Sequence, residues 1–276
     1  MARRAIKFTE DEIAKRYREG RGSGDVRSYK PWLTTHDLSS LGESVRVPSP
    51  KTGRGHHLLS GIETGAFLEL ILNPNVIDVQ EQYPLDREDT RPIALDLGVK
   101  HPTYPGGSVD VVMTTDLVVY VKDGDAIRRF ARAVKPASEL DNAGVLLKLE
   151  IEKRFWARRG VDWMIITEHE QTQQRRNGLE WIHARYELDK QPDPTYWTTR
   201  IEAFLAACRK GHGKSFEEIE RGLMLRRDVG EGEMISIIRH LCAVGRIAYD
   251  PERVFDTTWL VSDLPVLSPE VNARAA

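Results

Sequence analysis

A mixed α/β domain followed by a smaller, mostly helical one is the fold class that the sequence predicts. Three observations carry it. β-Branched runs at 76–85, 109–122 and 127–135 alternate with helical periodicity at 58–72 and 140–158. Beyond residue 177 the pattern changes to three helices and two short strands. The chain is 276 residues long and 40% hydrophobic, which suits two domains at ~150 residues each. The expected division is 1–168 and 169–276.

The elements follow in order. Thr9 caps a short helix with acidic residues in its first turn, and Gly20 closes it. Residues 45–59 read as a hairpin around the SPKTGRG turn. LLSGIETGAFLELIL (58–72) places apolar residues at 59, 62, 66, 67, 70 and 71, a helical spacing. A strand is expected at 76–85, then a loop punctuated by Pro and Gly. Two strands joined by the Asp123-Gly124 turn follow, the second ending against Pro136. A helix at about 140–158 and a strand at 163–167 complete the first domain. HEQTQQRRN (169–177) is polar and aperiodic, and reads as a linker. Three helices with RIAYD and TTWLV as paired strands then describe a winged helix.

Composition narrows the function. Lys plus Arg is 40 and Asp plus Glu is 42, a formal net charge of −2, so affinity for a polyanion cannot come from bulk charge. Charge is nonetheless uneven: residues 1–60 hold twelve Lys/Arg against seven Asp/Glu, and 125–160 hold nine against five. That split fits a protein meeting a polyanion on one side, although solvated helix faces would also produce it. Two cysteines, Cys208 and Cys242, exclude a disulfide scaffold and a Cys-rich zinc module. No stretch approaches the ~18 apolar residues of a membrane span, and the N-terminus lacks a signal-peptide core. A soluble cytoplasmic protein with no membrane partner is expected.

Two acids stand out. Glu63 lies four residues after Leu59 and four before Phe67, on the apolar stripe of its helix. A carboxylate there needs a partner, a metal or a raised pKa, unless it sits at the margin and reaches water. Asp116 heads LVVYV, a run that reads as a buried strand. A four-residue loop at 123–126 would set Lys122 opposite Ile127 and Asp116 opposite Ala133. A two-residue loop would set Asp116 opposite Ala131 instead. Both registers bring Asp116, Ala133 and Lys135 to one face. A structural ion pair is one reading. The other is the working set of a PD-(D/E)xK nuclease: two carboxylates for Mg²⁺ and a lysine for the attacking water.

The runs KTGRGHHLLSGIE (51–63), YPLDREDTRPIALDLGVKHP (83–102), VMTTDLVV (112–119), VKPASEL (134–140) and KLEIEKRFW (148–156) resemble the TnsA family. Its members are endonuclease subunits of heteromeric cut-and-paste transposases. The resemblance covers roughly 5–168 closely and the rest more weakly. It implies a restriction-endonuclease-like mixed sheet flanked by helices, with a C-terminal winged helix that engages a partner. It implies Mg²⁺-dependent cleavage of the 5′ strands at transposon-end DNA, with Mn²⁺ able to substitute. A DDE transposase subunit and an AAA+ ATPase regulator are the implied partners, in a bacterial cytoplasm at the nucleoid. Position by position, Glu63 and Asp116 match the acidic metal ligands and Lys135 the catalytic lysine.

One position departs from the family pattern: Ala133 stands where a Gln is expected two residues before the lysine. The Val134 carbonyl and waters would then complete the metal shell. Alternatively Glu152, bordering the Val145/Leu149/Trp156 stripe, supplies a carboxylate, though a surface position is its plainer reading. A third account is a weakened nuclease that serves as an adaptor between transposase and ATPase. Arg128, Arg129 and Arg132 are expected beside the site as phosphate contacts, or else as charges on an edge strand. His56 and His57 alternate along a strand, so they cannot share one metal.

Overall fold

In a computed structural model, residues 7–37 and 43–264 are described. Two compact units emerge, one of residues 1–71 and 75–173 and the other of 72–74 and 174–276.

The first unit opens with helix α1 (Glu10–Arg18), started by a Thr9–Glu12 capping box. Strands β1 (Val45–Ser49) and β2 (Arg54–Leu58) form the expected hairpin as a separate two-stranded sheet. Helix α2 (Gly61–Leu72) follows. The main sheet has the order β3 (Val76–Pro84), β4 (Thr114–Asp123), β5 (Ala126–Val134), β6 (Asp162–Ile166). The first three strands are antiparallel and β5–β6 is parallel, so the sheet is mixed. Helix α4 (Ala143–Ala157), capped by Asn142, makes the crossover between β5 and β6.

Lys122 pairs with Ile127 and Leu117 with Arg132, and one further step along that register sets Asp116 opposite Ala133. Leu85, Ile93, Met113, Val118, Ala131, Ile151, Phe155 and Trp156 form one buried cluster between the sheet and two helices, α4 and the one that follows β3. α3 (Arg87–Asp96) occupies a stretch that reads as loop in the sequence. Asp86 caps it by accepting from Glu88 N, which offsets the interruption at Pro92. β4 begins at Thr114 rather than 109, leaving only an isolated Thr103–Asp110 bridge ahead of it.

The second unit holds α5 (Gln173–His183), α6 (Tyr196–Lys210), α7 (Phe216–Leu225) and α8 (Glu233–Ala243). They close on a core that includes Phe204, Phe216, Leu223, Met234, Ile237 and Ile238. Two expectations are corrected here. The supposed linker at 169–177 already contains the start of α5, whose narrow apolar stripe buries Leu179 and Ile182. No strand forms over 246–250 or 257–261, so the wing hairpin is absent among the described residues. The backbone of 257–261 is used elsewhere: Phe216 N donates to Trp259 O and Glu217 N to Thr257 O, supplying two of the acceptors that the start of α7 needs.

Candidate active site

Glu63 sits in the first turn of α2 and is 6% exposed. Its two oxygens are held locally: Leu59 N donates to Oε2 at 3.0 Å and the Ser60 hydroxyl to Oε1 at 3.1 Å. Ser60 Oγ in turn accepts from Glu63 N. The Ser60–Glu63 spacing is that of a capping box, a local signal in the sequence that accounts for part of this glutamate's placement. Burial, followed by the charge of Asp116, raises the Glu63 carboxyl to about 7.

Asp116 is 8% exposed and accepts three hydrogen bonds. Val134 N donates to Oδ2 at 2.7 Å, Lys135 Nζ to the same oxygen at 2.8 Å, and Gln82 Nε2 to Oδ1 at 3.3 Å. Lys135 Nζ also donates to the Val134 carbonyl at 2.7 Å. Burial would lower the lysine's pKa, but the Asp116 charge and hydrogen bond outweigh it and raise it above the ordinary value. Lys135 is therefore a fixed cation at neutral pH.

The residues expected to work together from α2, β4 and β5 thus converge. Gln82 of β3 joins them, and the sequence reading had missed it. Its Nε2 lies 3.4 Å from Glu63 Oε2 as well as 3.3 Å from Asp116 Oδ1. Its φ is 49°, in the left-handed region, which breaks the alternation of β3. Gln80, opposite Val118, and Tyr83 both face the cluster of Trp156 although they lie three positions apart. Period-2 reasoning cannot anticipate that inversion.

Glu152 is not at the surface: it is 5% exposed, and its Oε1 accepts from Thr115 Oγ1 at 2.8 Å and Trp163 Nε1 at 3.0 Å. Burial and then the Asp116 charge raise it to about 7. Ala133 is fully buried between β4 and β6.

Two of the three arginines lie away from the acids, while Arg132 stands opposite Leu117, one position from Asp116. Arg128 and Arg129 lie opposite Val121 and Tyr120, four or five positions from Asp116, or roughly 13–17 Å along the strand. Arg132 pairs with Asp162 at 2.6 Å, and Arg129 lies over the Trp156 ring. β6 flanks β5 only over Phe130–Val134, so Arg128 and Arg129 sit on a stretch paired with β4 alone, as the edge-strand alternative expects. His56 and His57 separate as expected. His56 is buried between Thr52 and Glu81, whereas His57 meets Thr35.

The donor set suits a hard divalent cation. Two carboxylates, the Val134 carbonyl and the Gln82 amide are all oxygen ligands of the kind Mg²⁺ takes alongside water. Among the described residues no three His, Cys, Asp or Glu side chains cluster closely enough to hold a metal by themselves. Any cation here would therefore need neutral oxygens besides Glu63 and Asp116. The Lys135 ammonium, already bridging Asp116 and the Val134 carbonyl, shows that these two oxygens converge on positive charge.

Comparison with known proteins points to one family. The family model described as TnsA-like endonuclease N terminal matches residues 73–168, a span that contains Asp116, Val134 and Lys135. The chain is also 36% identical over 255 residues to the Escherichia coli protein described as "Transposon Tn7 transposition protein TnsA". That alignment covers 92% of this chain and 91% of the relative.

Proposed function

This chain belongs to the TnsA family, and from that premise we propose that it is the metal-dependent endonuclease subunit of a transposase. In this reading it cleaves the 5′ strands at transposon-end DNA. A DDE transposase subunit acts on the other strand, and an AAA+ ATPase regulates both. The observation that carries the reading is the shared hydrogen-bonded locus of Glu63 from α2, Gln82 from β3, Asp116 from β4 and Lys135 just past the end of β5.

Glu63, Asp116 and the Val134 carbonyl would hold Mg²⁺, with Mn²⁺ as a substitute. When bound, the metal stabilises the charge that develops on the phosphate. The protein's own part is positional. Ser60 and Leu59 fix the Glu63 carboxylate, and Val134 N fixes Asp116 across the β4–β5 register. The Lys135 ammonium, protonated throughout the neutral range, can orient a water or a phosphate oxygen but cannot ligate metal. Burial of both acids excludes most water from the locus, which strengthens each charged contact.

A second reading, a nuclease-fold adaptor with weakened catalysis, is favoured by Ala133 alone. Strand-specific cleavage of end DNA in the presence of the partner transposase separates the two. The nuclease reading expects cleavage that Asp116→Ala and Glu63→Ala abolish without unfolding the protein. Normal cutting by a folded double variant would sink it.

A further inference from the structure

The amide that position 133 lacks is supplied to the same locus from another strand. We propose that Gln82 is the neutral side-chain oxygen ligand of the catalytic cation, contributed by β3 in place of the β5 position that Ala133 leaves apolar. This rests on the metal-dependent reading above.

Location comes first. The Gln82 amide nitrogen lies between the two acids, 3.4 Å from Glu63 Oε2 and 3.3 Å from Asp116 Oδ1. Cis oxygens around an octahedral Mg²⁺ stand roughly 3 Å apart, so one amide end already occupies a ligand-like position relative to both. Gln82 is 2% exposed, and bulk water does not compete freely for that place.

Orientation follows from the partner on the other side. Gln82 Oε1 accepts from the Thr114 hydroxyl at 3.1 Å. A hydroxyl is both donor and acceptor. Turning the amide by half a rotation puts Oε1 toward the carboxylates and Nε2 toward Thr114 Oγ1, with no hydrogen bond lost on that side. Without a cation, the N–H end bridges two acids. With one bound, the oxygen end is the complementary face.

The backbone gives an independent observation. Among the described residues only Gln82 and Arg227 have positive φ without being glycine. A non-glycine residue in that region costs of order 1–3 kcal/mol and persists where its surroundings hold it. Here Trp32 N donates to Gln82 O at 3.1 Å, and the inverted alternation turns the side chain toward Glu63 and Asp116. A glycine would meet the backbone requirement without strain. The glutamine adds only its amide.

Calorimetric titration of Mn²⁺ into the full-length protein, without DNA, tests the assignment. Gln82→Gly suits the left-handed backbone and removes the amide, so it should fold and bind Mn²⁺ about tenfold more weakly. Gln82→Glu keeps an oxygen and should bind at least as tightly as the wild type. Asp116→Ala should show no binding. If Gln82→Gly binds like the wild type while Asp116→Ala does not, Gln82 is no ligand and the metal-dependent reading stands. If Gln82→Gly and Gln82→Glu weaken binding alike, the glutamine only spaces the acids and the assignment fails. A wild-type protein that binds no Mn²⁺ at millimolar concentration would overturn both readings together.

Discussion

Lys135 Nζ donates to Asp116 Oδ2 at 2.8 Å, and its second acceptor is the carbonyl of Val134, its own neighbour, at 2.7 Å. The ammonium thus covers two of the oxygens that would hold Mg²⁺ in the proposed reading. A bound cation would have to share Asp116 with the lysine or displace it, and the two positive charges would oppose one another.

Lys135→Ala should therefore separate binding from chemistry. Strand cleavage is expected to fall by at least a hundredfold, while Mn²⁺ affinity measured by calorimetry stays level or rises. A variant that loses metal affinity as completely as Asp116→Ala would refute this division of labour.

Glu152 gives a prediction about pH. Its carboxyl is raised to about 7 by burial, from an ordinary value of 4.5. Folding therefore favours the protonated form. The associated stability is fully present below about pH 4.5 and is lost as pH rises through about 7. Glu152→Gln keeps an oxygen for Thr115 and Trp163 and removes the titration. In EDTA at pH 8 it should be more stable than the wild type by on the order of 1–3 kcal/mol. The advantage should disappear at pH 4.5. Glu63 is raised in the same direction, so the substitution should flatten only part of the wild-type slope. Equal stability at pH 8 would count against the prediction.

Arg54 ties the β1–β2 hairpin to the main sheet. Its guanidinium meets both Glu81 oxygens, at 2.7 and 3.0 Å, and the Val79 carbonyl at 2.6 Å. Burial opposes ionisation of Glu81, but the His56 hydrogen bond and the Arg54 charge more than offset it and hold the carboxyl at about 2. Arg54→Ala leaves that buried carboxylate without its permanent cation. It should cost about 3–5 kcal/mol in urea unfolding at pH 7. Glu81's stabilisation is present above about pH 4.5 and lost as pH falls toward 2, so acid unfolding of the variant should begin at a higher pH. A loss under ~1 kcal/mol would mean that the network is structurally idle.

Most of the first unit was legible because its signals are local and periodic. The Asp123-Gly124 turn fixed the face that Asp116 shares with Ala133 but left two β4–β5 registers open, of which the structure takes the one pairing Lys122 with Ile127. The apolar spacing of 58–72 put Glu63 on the buried stripe. What escaped depends on tertiary context. α3 was hidden because Pro92 reads as a breaker, although Asp86, Glu88 and Asp89 announce its start. The wing was expected because TTWLV has strand composition, yet its backbone pairs with the first turn of α7 instead. Gln82 lay beyond reach because its role depends on a positive φ inside a strand, and no pattern in VIDVQEQYPL encodes that. Glu152 was placed at the surface because helical spacing put it at the stripe's edge. Only the packing of Thr115 and Trp163 closes over it.

Two glycines of the second unit should respond in opposite directions to the same substitution. In a helix interior, Gly→Ala ordinarily stabilises by about 0.5–1 kcal/mol, since alanine loses less backbone freedom on folding. Gly222 in α7 meets that condition, because the nearest atom to an added Cβ is Arg226 Nη1 at 3.7 Å. Gly178 in α5 does not. A Cβ there would stand 1.9 Å from the Pro251 carbonyl oxygen and 2.7 Å from its carbon. Both are backbone atoms that no rotamer change can move. The 251 segment leads into Phe255, whose ring stacks on Trp181 of α5, so backing the chain away would also disturb that contact. The clash should exceed the propensity gain, making Gly178→Ala destabilising by about 1–3 kcal/mol while Gly222→Ala is stabilising. Thermal melts of the two full-length variants decide it. A Gly178→Ala protein that melts at or above the wild type would show that α5 does not pack against Pro251 as described.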